Sequence, residues 1–133
     1  EGEATASSLL AEHLRRHGDI EGAALVVSEA AARGDTTPIL LLIGGLARLE
    51  QSRWAEAESA LRGALRRDPE LPEVRYYLGI ALAEQGIYAE PLNLFRDERL
   101  LSGASNQLDS AEAKCLQALG DPAAAAVLLG TQL

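Results

Sequence analysis

Residues 72–95 read PEVRYYLGIALAEQGIYAEPLNLF. The stretch carries Leu78-Gly79, then Leu82, Gly86, Tyr88 and Phe95. Moving back 34 residues places Gly45, Ser52, Trp54 and Leu61 at the positions of Gly79, Gly86, Tyr88 and Phe95. A second step back meets Ala11, Gly18, Ile20 and Val27, and one step forward meets Ala113, Gly120, Pro122 and Leu129. Four units then tile the chain without a gap, at 4–37, 38–71, 72–105 and 106–133. A single match would be weak, because the pattern is degenerate. Four in register are strong.

The recurrence has a physical reading. Each unit is expected to be two antiparallel helices lying close together. A small residue in mid-helix (Ala11, Gly45, Gly79, Ala113) lets the facing helix approach, although Gly costs about 1 kcal/mol against Ala in helix propensity. The matching small site on the second helix is Ala23, Ala57 and Ala125, with Pro91 the exception. Ile20, Trp54, Tyr88, Val27, Leu61 and Phe95 fill the space around these approaches. No unit buries its apolar face alone, so neighbours must stack.

This spacing resembles the tetratricopeptide repeat (TPR). The resemblance implies an all-α fold, a right-handed α-α superhelix of four helix-turn-helix repeats forming one domain over 1–133. Between the second and third units, Asp68-Pro69-Glu70-Leu71-Pro72 resembles the inter-repeat turn of the family, whose Pro stands where Pro69 does.

Composition agrees with helices. The chain is 47% hydrophobic but only 4% aromatic, with Ala and Leu supplying most of the bulk. A net charge of −8 disfavours a nucleic-acid partner, which needs a basic face. Eleven Arg stand against one Lys, Lys114, a bias that suggests a GC-rich, bacterial source and carries no mechanism. The chain contains no Met, so it is expected to be a piece of a longer protein, in the cytoplasm or periplasm. Cys115 is alone and cannot form a disulfide within the chain; a small buried residue is its expected role. No apolar run approaches the ~20 residues that span a membrane.

Helices are expected over about 5–17, 20–32, 39–50, 54–67, 73–85, 88–101, 108–119 and 122–133. Thr37 is the expected N-cap of the third, with Pro38 at its first position. Pro91 is tolerable only if the sixth helix starts late, near Tyr88, leaving the proline in the first turn.

Candidate chemistry is thin. His13 and His17 share a helix face, but two arginines lie between them and the Glu of a zinc-protease motif is missing. Gly44-Gly45 has no strand before it, so it is not a phosphate cradle. Glu56 and Glu58 are two apart on a helix and diverge. The group Arg62, Arg66, Arg67 is expected to form a solvated face that complements a helix C-terminus. No catalytic residue, metal ligand or cofactor follows from these observations, and the chain is not expected to be an enzyme.

Proteins of the resembled family line a concave groove with the first helix of each unit. Carried onto this chain, that surface offers Thr5, Ser8, Glu12, Arg15 and Arg16, then Ile39, Leu42, Leu46, Leu49 and Glu50. The third unit offers Glu73, Tyr76, Ile80, Ala83 and Glu84, and the fourth Gln107, Ser110, Lys114, Gln117 and Ala118. One subclass grips acidic chaperone tails with a basic clamp. Here the clamp positions hold Ser8, Glu12, Ile43, Glu73 and Tyr77, so no clamp forms.

The expected function is a protein-interaction scaffold. Ile39, Leu42, Leu46, Leu49, Tyr76 and Ile80 would hold a partner's amphipathic helix or extended peptide, and Glu50, Glu73 and Glu84 would favour basic flanks on it. The run Ile39–Ile43 is apolar all round, which marks either burial or an interaction site. The rival reading is a small secretion chaperone, like those of type III secretion, that sequesters an apolar export substrate. The final helix, expected over 122–133, has no charged residue and is expected to contact a second copy or further chain.

Overall fold

The computed structural model describes residues 5–130. Among these it contains eight α-helices: α1 (Ala6–Arg16), α2 (Ile20–Ala32), α3 (Pro38–Glu50), α4 (Trp54–Arg67), α5 (Val74–Ala83), α6 (Ala89–Ser102), α7 (Asn106–Ala118) and α8 (Pro122–Gly130). The expected pairs form in the expected order. The last three residues assigned to the eighth helix, 131–133, lie outside the described residues.

Each helix packs on the next in sequence. In addition α1 touches α3, α3 touches α5 and α5 touches α7, whereas no two even-numbered helices touch. The odd helices therefore form a closely spaced inner layer and the even ones a splayed outer layer, which curves the stack with its concave side on the odd helices. This is the solenoid that the recurrence predicts.

The mid-helix glycines sit where the helices come nearest. A Cβ on Gly45 would lie 2.6 Å from Leu61 Cδ2, and one on Gly79 would run into Phe95 Cε1. Leu61 and Phe95 are fully buried, as is Ala11; Ala113 is nearly so. Fully burying a Leu or Phe side chain contributes about 1.5–3 kcal/mol. The close approach is therefore what lets α4 and α6 insert their largest fully buried side chains. On the facing side Ala23, Ala57 and Ala125 are fully buried, and Pro91 fills the same place in α6. Because α6 begins at Ala89, Pro91 lies in its first turn, where the backbone N–H groups have no helical partner in any case.

The turn inside each unit repeats as well. Asp19 N–H donates to Leu14 O, Arg53 N–H to Arg48 O, Ile87 N–H to Leu82 O and Asp121 N–H to Leu116 O, at 2.8–3.0 Å. These are the long bonds of a Schellman C-cap, which needs a left-handed residue just before. Gly18, Gly86 and Gly120 supply it, and Ser52 adopts the same conformation at φ 59° despite its Cβ.

One local expectation holds in position only, and two are corrected. Thr37 stands at the N-cap of α3, but its hydroxyl makes no cap bond and is buried without a hydrogen-bond partner. Helix α5 starts at Val74 instead of Glu73, because Glu73 is held left-handed at φ 76° with its N–H donated to Glu98. Arg66 and Arg67 are exposed as expected, but Arg62 is only partly so and is engaged by carboxylates. It crosses from α4 to α6, donating to Glu58 on its own helix and to both oxygens of Glu90 at 2.9 and 3.0 Å.

Candidate functional site: the concave face

The run Ile39–Leu49 explains its own apolarity. Helix α3 is in contact with α1, α2, α4 and α5. Leu40 and Ile43 are buried, and Leu41 reaches the Gly63 backbone of α4. What is left half-buried on the inner side is Ile39, Leu42, Leu46 and Leu49. Leu42 and Leu49 also rest on the core cluster built from Leu61, Val74, Leu78 and Leu82, whereas Leu46 belongs to no buried cluster. Tyr76 and Ile80 are half-buried too, but they lean on a separate cluster of Phe95, Leu108, Ala111 and Cys115. The two stripes thus occupy neighbouring stretches of the inner layer.

Tyr77 joins them. It packs on the same cluster as Leu42 and Leu49, with its ring edge-on to Tyr76 at 5.1 Å between centroids. Burial, and then the charge of Glu73, push its hydroxyl above the usual tyrosine value. Tyr77 is absent from the apolar stripe expected from the sequence; its signals there are adjacency to Tyr76 and its place at one of the clamp positions.

Two clefts open between α5 and α7. One of about 220 Å³ is lined by Ile80, Ala83, Glu84, Ala111, Lys114 and Ala118 above Tyr88 and Phe95. The other, about 350 Å³, shares Ile80, Ala111 and Lys114 and adds Tyr76, Gln107 and Ser110. Fourth-unit residues therefore take a larger part in the concave surface than the apolar middle of the sequence suggests.

The charges are partly spent within the protein. Arg15 donates to both oxygens of Glu12 at 3.0 Å and to Glu50 at 3.3 Å, and Arg16 donates to Glu12 at 2.7 Å. The Arg15 bonds hold the Glu12 carboxyl below its ordinary value. Glu50 is thus already paired, while Glu73 and Glu84 are exposed with no ion pair among the described residues. On the far side, Glu112 is buried between Arg96 and Arg99, which tie α6 to α7.

Chemistry of other kinds has little to work with. The His13 and His17 rings lie 4.2 Å apart and exposed, and no group of three or more His, Cys, Asp or Glu is placed to hold a metal among the described residues. Cys115 is buried in α7, and burial raises its thiol above the ordinary value. No described helix is long and apolar enough to cross a membrane.

Known proteins match this architecture. The tetratricopeptide repeat pattern matches residues 44–98. Among curated proteins, the cytochrome c-type biogenesis protein CycH of Rhizobium meliloti (strain 1021) is 34% identical over 93 residues, 66% of this chain. The chain spans about a quarter of that relative's length, 24%. Among solved structures, MamA superposes with a TM-score of 0.86 at 14% identity, covering 93% of this chain and 68% of that one. YrrB, described as a TPR protein with an unusual peptide-binding site, superposes at 0.84 with 18% identity, covering 97% of this chain and 66% of its own. The repeat pattern, the inner and outer helix layers and these likenesses agree: the chain folds as a tetratricopeptide-repeat solenoid.

Proposed function

We propose that this protein-interaction scaffold holds an amphipathic helix or extended segment of its partner across the concave face, on Ile39, Leu42, Leu46, Leu49, Tyr76 and Ile80. One observation carries the reading. Large apolar side chains on α3 and α5 stay half-exposed on the layer where the helices crowd most closely, so the core leaves them available to a ligand. Glu73 and Glu84 then favour basic residues beside the partner's apolar stripe, with Glu50 contributing less because Arg15 engages it. The likeness to CycH points to a partner in cytochrome c assembly and favours this reading over a secretion chaperone. No catalysis is proposed. The exposed Val127 on α8 and Leu119 just before it support a further contact there, to a second copy, which concentration-dependent sedimentation would detect.

Leu46→Glu is the test. Leu46 lies outside the buried clusters, so the variant should keep its helical circular dichroism. Titrated with a haem-free c-type cytochrome polypeptide, it should lose about 2 kcal/mol or more of binding relative to the parent chain. Equal binding by both proteins would move the site off the concave face. No binding by the parent chain would remove the cytochrome partner.

A further inference from the structure

We propose that the third cleft on this side of the molecule is a recognition pocket for one basic side chain, lysine or arginine, of the partner. It has a volume of about 200 Å³ and lies at the heads of α5 and α7, under the Gly103–Ser105 connection. Two carboxylates line it, Glu73 and Glu98, together with Tyr76 and Tyr77, and no cationic side chain does. Glu98 is the decisive group. It is 2% exposed, among residues of its kind almost never fully buried unless paired. Its Oε2 accepts from the Glu73 N–H at 3.0 Å and from the Ser102 hydroxyl at 2.5 Å. Its Oε1 is buried and accepts from no group among the described residues.

Holding the head of α5 accounts for Oε2 alone. A carboxylate needs more than that out of water, and the missing partner is a donor carrying positive charge. The aromatic walls suit the same ligand, since ammonium and guanidinium groups are attracted to ring faces. Glu73 adds its negative charge at the mouth, and its left-handed backbone is fixed by the bond to Glu98, so both carboxylates are placed by one contact. Tyr76 belongs to this pocket and to the apolar stripe. A partner lying on the stripe would therefore present a basic residue here. The proposal rests on the concave-face reading in that clause only.

The experiment needs no partner. Amide chemical shifts of the protein are followed while n-butylammonium chloride, methylguanidinium chloride or neutral n-butanol is added at constant ionic strength. The expected result is a saturable response to at least one cation at the Glu73, Gly103 and Ser105 amides, with no such response to butanol. Glu98→Gln keeps an oxygen for the Glu73 N–H but removes the charge, and should weaken that cation's binding about tenfold. Where Glu98→Gln does not fold, Glu73→Gln, changed at an exposed side chain, should weaken it severalfold. A response shared with butanol, no response to either cation, or unchanged cation binding in the folded variant overturns the pocket. None of these outcomes depends on Leu46, so the pocket and the apolar groove stand or fall separately.

Discussion

The inner and outer layers of the solenoid solve the same problem by different means. Odd helices touch directly, and α3 and α5 meet through apolar side chains such as Leu42, Leu49 and Tyr77. Even helices do not touch, and between α4 and α6 the gap is spanned by Arg62, reaching both oxygens of Glu90. Direct packing depends on volume and is intolerant of added atoms. A charged arm depends on solvent and ions and is replaceable. The layer intolerant of change is also the one whose large apolar side chains stay half-exposed.

The largest effect should come from breaking a close approach. Gly79→Leu puts a side chain where Phe95 already sits, and should lower the unfolding free energy in urea by about 3 kcal/mol. Little or no loss would mean that the packing is looser than the geometry indicates. The outer layer should respond far less. A double-mutant cycle of Arg62→Ala and Glu90→Gln should give a coupling of about 0.5–1 kcal/mol, as for exposed pairs, and 1 M salt should reduce it. The Arg62 bonds hold the Glu90 carboxyl below its ordinary value of 4.5. A depressed folded-state value means that the coupling is complete above about pH 4.5 and disappears as pH falls through the lower folded value. A coupling that persists in acid would assign it to packing of the Arg62 stem instead of to charge.

The smallest effect sharpens the comparison from within the turns. Ser52 holds the left-handed conformation that Gly18, Gly86 and Gly120 hold elsewhere. Ser52→Gly should therefore stabilise by roughly 0.5 kcal/mol in thermal unfolding, as strain is relieved against a more flexible unfolded chain. A loss would show that the Ser52 side chain contributes something the backbone does not reveal.

These contrasts also mark what could be read from residues alone. Gly45 and Gly79 are legible because a helix tolerates glycine poorly, so its return at a fixed interval demands a spatial reason. The left-handed turns are legible for a similar reason, and Pro91 constrained where α6 begins. The charged network was not legible. Arg62 and Glu90 are far apart in the chain, and surface-type residues carry no pattern to say which will face each other. Glu98 sits within Arg96-Asp97-Glu98-Arg99, a run that looks solvated, yet one turn of helix rotates it inward against Glu73. The concave face was half legible. Its apolar stripe on α3 follows from spacing, but the part played by Tyr77 and the α5–α7 clefts depends on how the third and fourth units are set against each other.

That every helix meets only its near neighbours has a dynamic consequence. A stack with contacts limited to adjacent units opens from its ends, unit by unit, instead of all at once. The α3 and α5 stripes lie in the interior of such a stack and should exchange their amide hydrogens slowest. The wall formed by α7 stands next to the terminal pair and should exchange sooner. A ligand bridging α5 and α7 would then do more than occupy a cleft: it would hold the last repeat closed, and protection of the α7 and α8 amides would report its arrival.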